Sequence, residues 1–231
     1  MDVNTFVIYL HELRNQCVYT QASLVMFNQS LEQNATSAVL ASGQAALTAA
    51  SQAASILWPP RARARRRGQV MREKLQLPDN HAMADRRFVE LWERADEKLD
   101  DWVKNTKNQR VLFDFVGSPS SIQIPDLKEE GVYRMYDTDN KVFVFRGIGY
   151  NMANLSTAIG EIGRRADSLH TQIMQQAQQQ QGSQEPSGTT DQVAPAETQT
   201  QGEGSIPSPV AQDEAGGEAH PDSATSSQKE G

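Results

Sequence analysis

Cysteine is almost missing from this 231-residue chain, and the single one, Cys17, excludes an intrachain disulfide. A chain without disulfides suits a reducing compartment, so a cytoplasmic location is the expectation. No uninterrupted apolar run reaches the roughly 20 residues that a membrane span needs. The most apolar stretch, 35–58, is diluted by Ser37, Ser42, Gln44, Thr48, Ser51, Gln52 and Ser55. A transmembrane helix is therefore not expected, and the first residues lack the basic flank of a signal peptide. Aromatic residues are absent from 175–231, where Val193, Ile206 and Val210 are the only bulky apolar side chains. Such a segment buries too little surface to offset its ordering entropy, which predicts a disordered tail behind a domain of residues 1–174.

The net charge of −7 belongs to that tail. It carries nine acids against Lys229 alone, which leaves 21 basic and 20 acidic residues in 1–174. A domain so close to neutrality remains open to nucleic acid, whatever the whole-chain charge.

Catalytic and cofactor signatures are also scarce. His11, His81, His170 and His220 stand apart from one another and from Cys17, so no zinc-ligand spacing exists and no metal is expected. A phosphate-cradling loop is missing. Gly147 and Gly149 follow Phe145-Arg146 without the third glycine of a dinucleotide turn, so no cofactor is expected.

What is present is helical periodicity. Phe6, Leu10, Leu13, Cys17, Thr20, Leu24, Phe27 and Leu31 recur at steps of three and four, the inner stripe of a helix about eight turns long. Asp2 or Asn4 is placed to cap it. A second helix over 35–57 is rich in Ala, Ser and Gly, with Val39, Ala46, Ala50 and Leu57 able to face inward. Small residues let helix axes approach closely, and the two helices read as an antiparallel hairpin.

Pro59-Pro60 ends that hairpin. Arg61, Arg63, Arg65, Arg66, Arg67, Arg72 and Lys74 follow, opposed only by Glu73. Arginines at this density can track a phosphate backbone, which makes them the candidate RNA-binding residues. The bland alternative is a solvated connector, and no aromatic side chain is interleaved to stack on bases.

The pattern Phe88, Trp92, Ala95, Leu99, Trp102 predicts a third long helix over 84–105. Next come short β-prone runs at 111–116 and 122–124. A hairpin is expected near 131–147, with its strands flanking Asp137-Thr138-Asp139-Asn140. A last helix should start near Asn151 or Asn154 and fray through the glutamines of 175–181. The fold class is thus mainly α: a bundle of about four long helices with a small β-hairpin insertion.

Arg165 and His170, with four residues between them, have the spacing of a ribonuclease pair, although chance alone readily produces such a pair in a chain of this composition. The segment Arg86-Arg87-Phe88-Val89-Glu90-Leu91-Trp92-Glu93-Arg94-Ala95-Asp96-Glu97-Lys98 to Trp102 carries more. With the strand, hairpin and helix that follow, it resembles an uncharacterised bacterial helical family akin to HEPN-domain proteins, over roughly residues 5–170. The resemblance implies a metal-independent ribonuclease helix, commonly paired in a homodimer, with Arg87 at the phosphate-gripping position. Asp96, Glu97 and Trp102 match the acidic pair and tryptophan. Phe88 stands where a polar residue is expected, and Trp92 where the Arg-x4-His motif has its histidine. Neither side chain can transfer a proton, which general acid–base catalysis requires. The expectation is a non-catalytic HEPN-like protein binding RNA or a protein partner. The alternatives are an active metal-independent endoribonuclease using Arg165 and His170, and a structural interaction protein assembling through its 1–57 hairpin.

Overall fold

The computed structural model describes residues 1–182; the acidic segment beyond, where most of the expected tail falls, lies outside the described residues. Three long helices form the core: α1 (Val3–Glu32), α2 (Thr36–Leu57) and α6 (Met152–Gly182). The last continues through the glutamines of 175–181, which are competent helix formers. Asp2 caps α1, its carboxylate accepting the Thr5 N–H at 2.9 Å. The α1 stripe from Phe6 to Phe27 is buried as expected. It meets Val39, Ala46, Ala50 and Leu57 of α2, each fully buried. On the other side α6 crosses close to α1, where a side chain at Gly163 would stand 3.5 Å from Cys17 Cβ.

Between α2 and α6 the chain makes three shorter helices: α3 (Arg65–Lys74), α4 (Arg86–Val89) and α5 (Ala95–Asn105). The expected third long helix is therefore broken, and there are three long helices rather than four. Glu90 to Arg94 form turns, and Arg94 sits in the left-handed region at φ 51°. The break frees backbone carbonyls, and half-buried cations take them. The Arg146 guanidinium donates to Leu91 O at 3.3 Å and Ala95 O at 3.2 Å, while the Lys98 ammonium binds Glu90 O. Helical periodicity could not show this, because the partner Arg146 lies some fifty residues away.

The hairpin is present as β2 (Val132–Asp137) and β3 (Val142–Phe145), antiparallel, with Tyr136 opposite Phe143. Asp137 pins its turn by accepting N–H bonds from Asp139 and Asn140 at 2.9 and 3.1 Å. The hairpin belongs to a four-stranded sheet. The run at 111–116 forms β1 (Leu112–Gly117), parallel to β2, and Ile148–Asn151 adds β4 beside β3. The expected strand at 122–124 does not form. It belongs to the fourteen-residue crossover that a parallel pair requires, and Ile122 and Ile124 instead line a cleft with Met135 and Val144. The opposite face of the sheet closes the helical core. Phe143 reaches Gly43 of α2, and Tyr136 packs edge-on to Phe27 at 4.8 Å.

His81 joins three parts of the core. Its ring stacks on Trp58 at 5.5 Å, Nδ1 accepts the Met83 N–H, and Nε2 lies 3.5 Å from Glu161. Burial holds its pKa below the ordinary histidine value; Glu161 opposes that shift and Arg165 adds to it. The native state then binds fewer protons than the unfolded chain, so stability is full above the unfolded pKa and falls as pH drops through it. Melting temperature should be lower at about pH 5.5 than at about pH 7.5. His81→Asn should flatten that difference; an unchanged difference would assign it to other groups.

No helix among the described residues is long and apolar enough to cross a membrane.

Candidate functional site

The basic segment is not a loose connector. After Arg61 the chain makes one 3-10 turn, Ala62–Ala64, and enters α3. Gly68, Met71 and Leu75 are buried and seat α3 against the end of α2. At Gly68 no side chain could fit, since its Cβ would lie 2.4 Å from Pro59 Cδ and 2.5 Å from Leu57 O.

This seating divides the seven cations. Arg67 donates to Ser55 O at 3.2 Å and lies 4.7 Å over the Tyr9 ring. Arg72 donates to Leu57 O at 2.5 Å, pairs with Asp79 at 2.9 Å and faces Trp58. Both satisfy carbonyls that the C-terminal end of α2 leaves open, so they are structural. Arg61, Arg63, Arg65, Arg66 and Lys74 are exposed, and none has an acceptor among the described residues.

That is unusual in this molecule. Of the eleven other arginines, nine are tied to a carboxylate or a carbonyl (Arg14, Arg67, Arg72, Arg86, Arg87, Arg94, Arg134, Arg146 and Arg165), and Arg110 and Arg164 stand singly without an acceptor among the described residues. The free arginines also stand at the wrong end of a helix. No side chain caps the N-terminus of α3, no acid occupies its first turn, and Arg65, Arg66 and Arg67 are there instead. A cation beside the positive end of a helix dipole is destabilising by about 0.3–1 kcal/mol. An anion held there would relieve both the dipole and the mutual repulsion of the arginines.

The ribonuclease candidates are not brought together. Arg165 and His170 lie about 140° apart around α6. Arg165 donates to Leu75 O and Gln76 O at 3.1 and 2.6 Å and pairs with Glu161 at 2.8 Å. His170 faces α1, and burial, Arg14 and His11 hold its pKa below the ordinary value. Arg87 forks onto Asp85 at 2.6 and 2.9 Å and reaches Gly149 O at 3.3 Å. The nearby hydroxyl of Tyr150 donates to Arg87 O, and burial pushes its pKa up to about 12. Phe88 packs on Tyr150 and Trp92 on Phe145, with ring centres 5.3 and 5.6 Å apart.

Below α4 and α5 a cleft of about 430 Å³ is lined by Arg87, Lys98, Trp102, Phe145, Arg146 and Tyr150, among others. Sequence reading singled out neither Lys98 nor Arg146 as a site residue. Both are half-buried, and their donors serve the carbonyls of the broken helix. Among the described residues no group of three or more His, Cys, Asp or Glu could hold a metal ion.

No family model, curated protein or solved structure matches this chain. The functional reading rests on its own residues.

Proposed function

We propose that this is a non-catalytic, HEPN-like helical protein that binds the phosphate backbone of RNA through Arg61, Arg63, Arg65, Arg66 and Lys74. One observation carries the reading: four of these cations are arginines without an acceptor among the described residues, gathered at the N-terminus of a helix that has no side-chain cap and is seated by Gly68 and Met71. A planar guanidinium suits phosphate oxygens through two parallel N–H donors. Binding is sequence-tolerant, because the segment offers no aromatic ring for base stacking. Cleavage is not part of the proposal, since Arg165 is held away from His170 and Arg87 faces a phenol rather than a group titrating near neutrality.

The test replaces Arg61, Arg63, Arg65 and Arg66 with Gln and leaves the structural Arg67 and Arg72 in place. Fluorescence anisotropy on a labelled single-stranded RNA, repeated across a salt series, should show weaker binding. The slope of log affinity against log salt should shrink by about 3, near 0.7 for each phosphate no longer neutralised. An unchanged affinity and slope would reject the reading.

A further inference from the structure

α1 has two faces, and the fold uses one. Opposite the buried stripe runs a second line at heptad steps: Ile8, His11, Asn15, Val18, Ala22, Val25 and Gln29. Ile8 is 67% exposed and Val18 and Val25 are each 55% exposed, flanked by Tyr19 and Met26. Six of the twelve exposed large apolar side chains among the described residues lie on this helix, so the apolar surface is concentrated here. Charge is missing from the same place. From Asn15 to Leu31 the chain has no Asp, Glu, Lys or Arg, whereas exposed α5 carries Asp96, Glu97, Asp100, Asp101 and Lys104. α5 is surfaced as a helix in water; the outer face of α1 is surfaced as a contact.

We propose that this face pairs α1 with α1 of a second copy of the chain, antiparallel about a twofold axis passing between Gln16 and Cys17. The pattern is self-complementary in that register. Ile8 meets Val25 of the second copy, Val7 meets Met26, and Asn15 meets Val18 beside the axis. His11, the bulkiest polar residue in the line, falls opposite the small Ala22. Each contact occurs twice, as an isologous interface requires. A parallel pair would set His11 on His11 and Asn15 on Asn15 in consecutive layers and align the two helix dipoles. The seam from residue 4 to 29 is about 38 Å long. Two such faces bury on the order of 1,200 Å², the lower end for a specific pair. The dimer is therefore concentration-dependent, and it is independent of the RNA reading, since Arg61–Lys74 takes no part in it.

The experiment uses the full chain. Sedimentation equilibrium over a micromolar series should show a monomer–dimer equilibrium. Ile8→Lys with Val25→Lys should raise the dissociation constant by at least ~100-fold, because four ammonium groups enter one desolvated seam. Met174→Lys, exposed on α6, should leave the equilibrium unchanged. Register is read by oxidative cross-linking: mixing Ile8→Cys with Val25→Cys should give a disulfide-linked dimer, and neither variant alone should. Cys17 stays silent, being 2% exposed with a thiol that burial pushes up to about 12. A monomer at every concentration, a dimer indifferent to the lysine pair, or cross-linking by either single cysteine variant would overturn the proposal.

Discussion

Phe143→Ala should lower stability by about 3–5 kcal/mol, the cost of removing a fully buried ring from a core that relaxes only partly. For a domain of this size that is a fall in melting temperature on the order of 10 °C. The ring is where the sheet meets the helices. It lies 6.5 Å from Phe27 and covers Gly43, where a Cβ would stand only 2.4 Å from Phe143 Cε2. Gly43→Ala should therefore destabilise by about 1–3 kcal/mol through overpacking, despite the better helix propensity of alanine. Combined with Phe143→Leu, the two changes should cost less than their sum by roughly 1 kcal/mol. Urea denaturation of the two single variants and the double variant measures the coupling. Strict additivity would show that the ring and the glycine do not share the contact.

Phe88→Asn with Trp92→His, which places polar residues at the two positions where the proposed resemblance to a ribonuclease helix lacks them, should cost about 2–4 kcal/mol and confer no RNA cleavage. Trp92 fills the space against Phe145 and lies under the Arg146 guanidinium, at 5.8 Å from the ring centre. An imidazole there leaves a cavity. The chemistry fails for a separate reason. Arg87 is on α4, while position 92 belongs to the turn that ends before α5, so the two side chains do not share one continuous helix. Trp92→Phe makes the control. The buried Nε1 of Trp92 has no hydrogen-bond partner, so the smaller ring loses no bond and should cost less than about 1.5 kcal/mol. Cleavage of labelled RNA by the double variant, above the wild-type background, would show that Arg87 and position 92 can act together after all.

The long helices were legible because each has a stripe set by its own residues. Steps of three and four from Phe6 to Phe27 define a buried face with no knowledge of what lies opposite, and Asp2 marks its start. The hairpin was legible for a similar local reason, since Asp137 to Asn140 form a turn whose hydrogen bonds are made within four residues. The basic cluster could be located as well, but not divided. Its sequence cannot say that Arg67 and Arg72 close the end of α2 while Arg61, Arg63, Arg65 and Arg66 find no acceptor among the described residues, because the carbonyls of Ser55 and Leu57 become neighbours only after α3 folds back.

The same distinction explains where sequence and structure part. Phe88, Trp92, Ala95, Leu99 and Trp102 have helical spacing, yet Lys98 and Arg146 hold a break in that helix by binding the carbonyls it exposes. The parallel pairing of β1 with β2 joins strands fourteen residues apart through an irregular crossover, and no local propensity encodes that choice. The separation of Arg165 from His170 is local, since a five-residue step on a continuous helix turns them about 140° apart; the structure adds what each then meets, the Leu75–Gln76 carbonyls on one side and α1 on the other. By itself the sequence determined the mainly helical class, the three long helices, the hairpin and the place of the basic cluster, since periodicity and turn chemistry are interactions between near neighbours. The tertiary structure alone decided which cations are taken up by backbone carbonyls, where the third helix breaks and which face of α1 the described residues leave exposed, because each depends on groups far apart in the chain competing for the same backbone carbonyls and the same apolar surface.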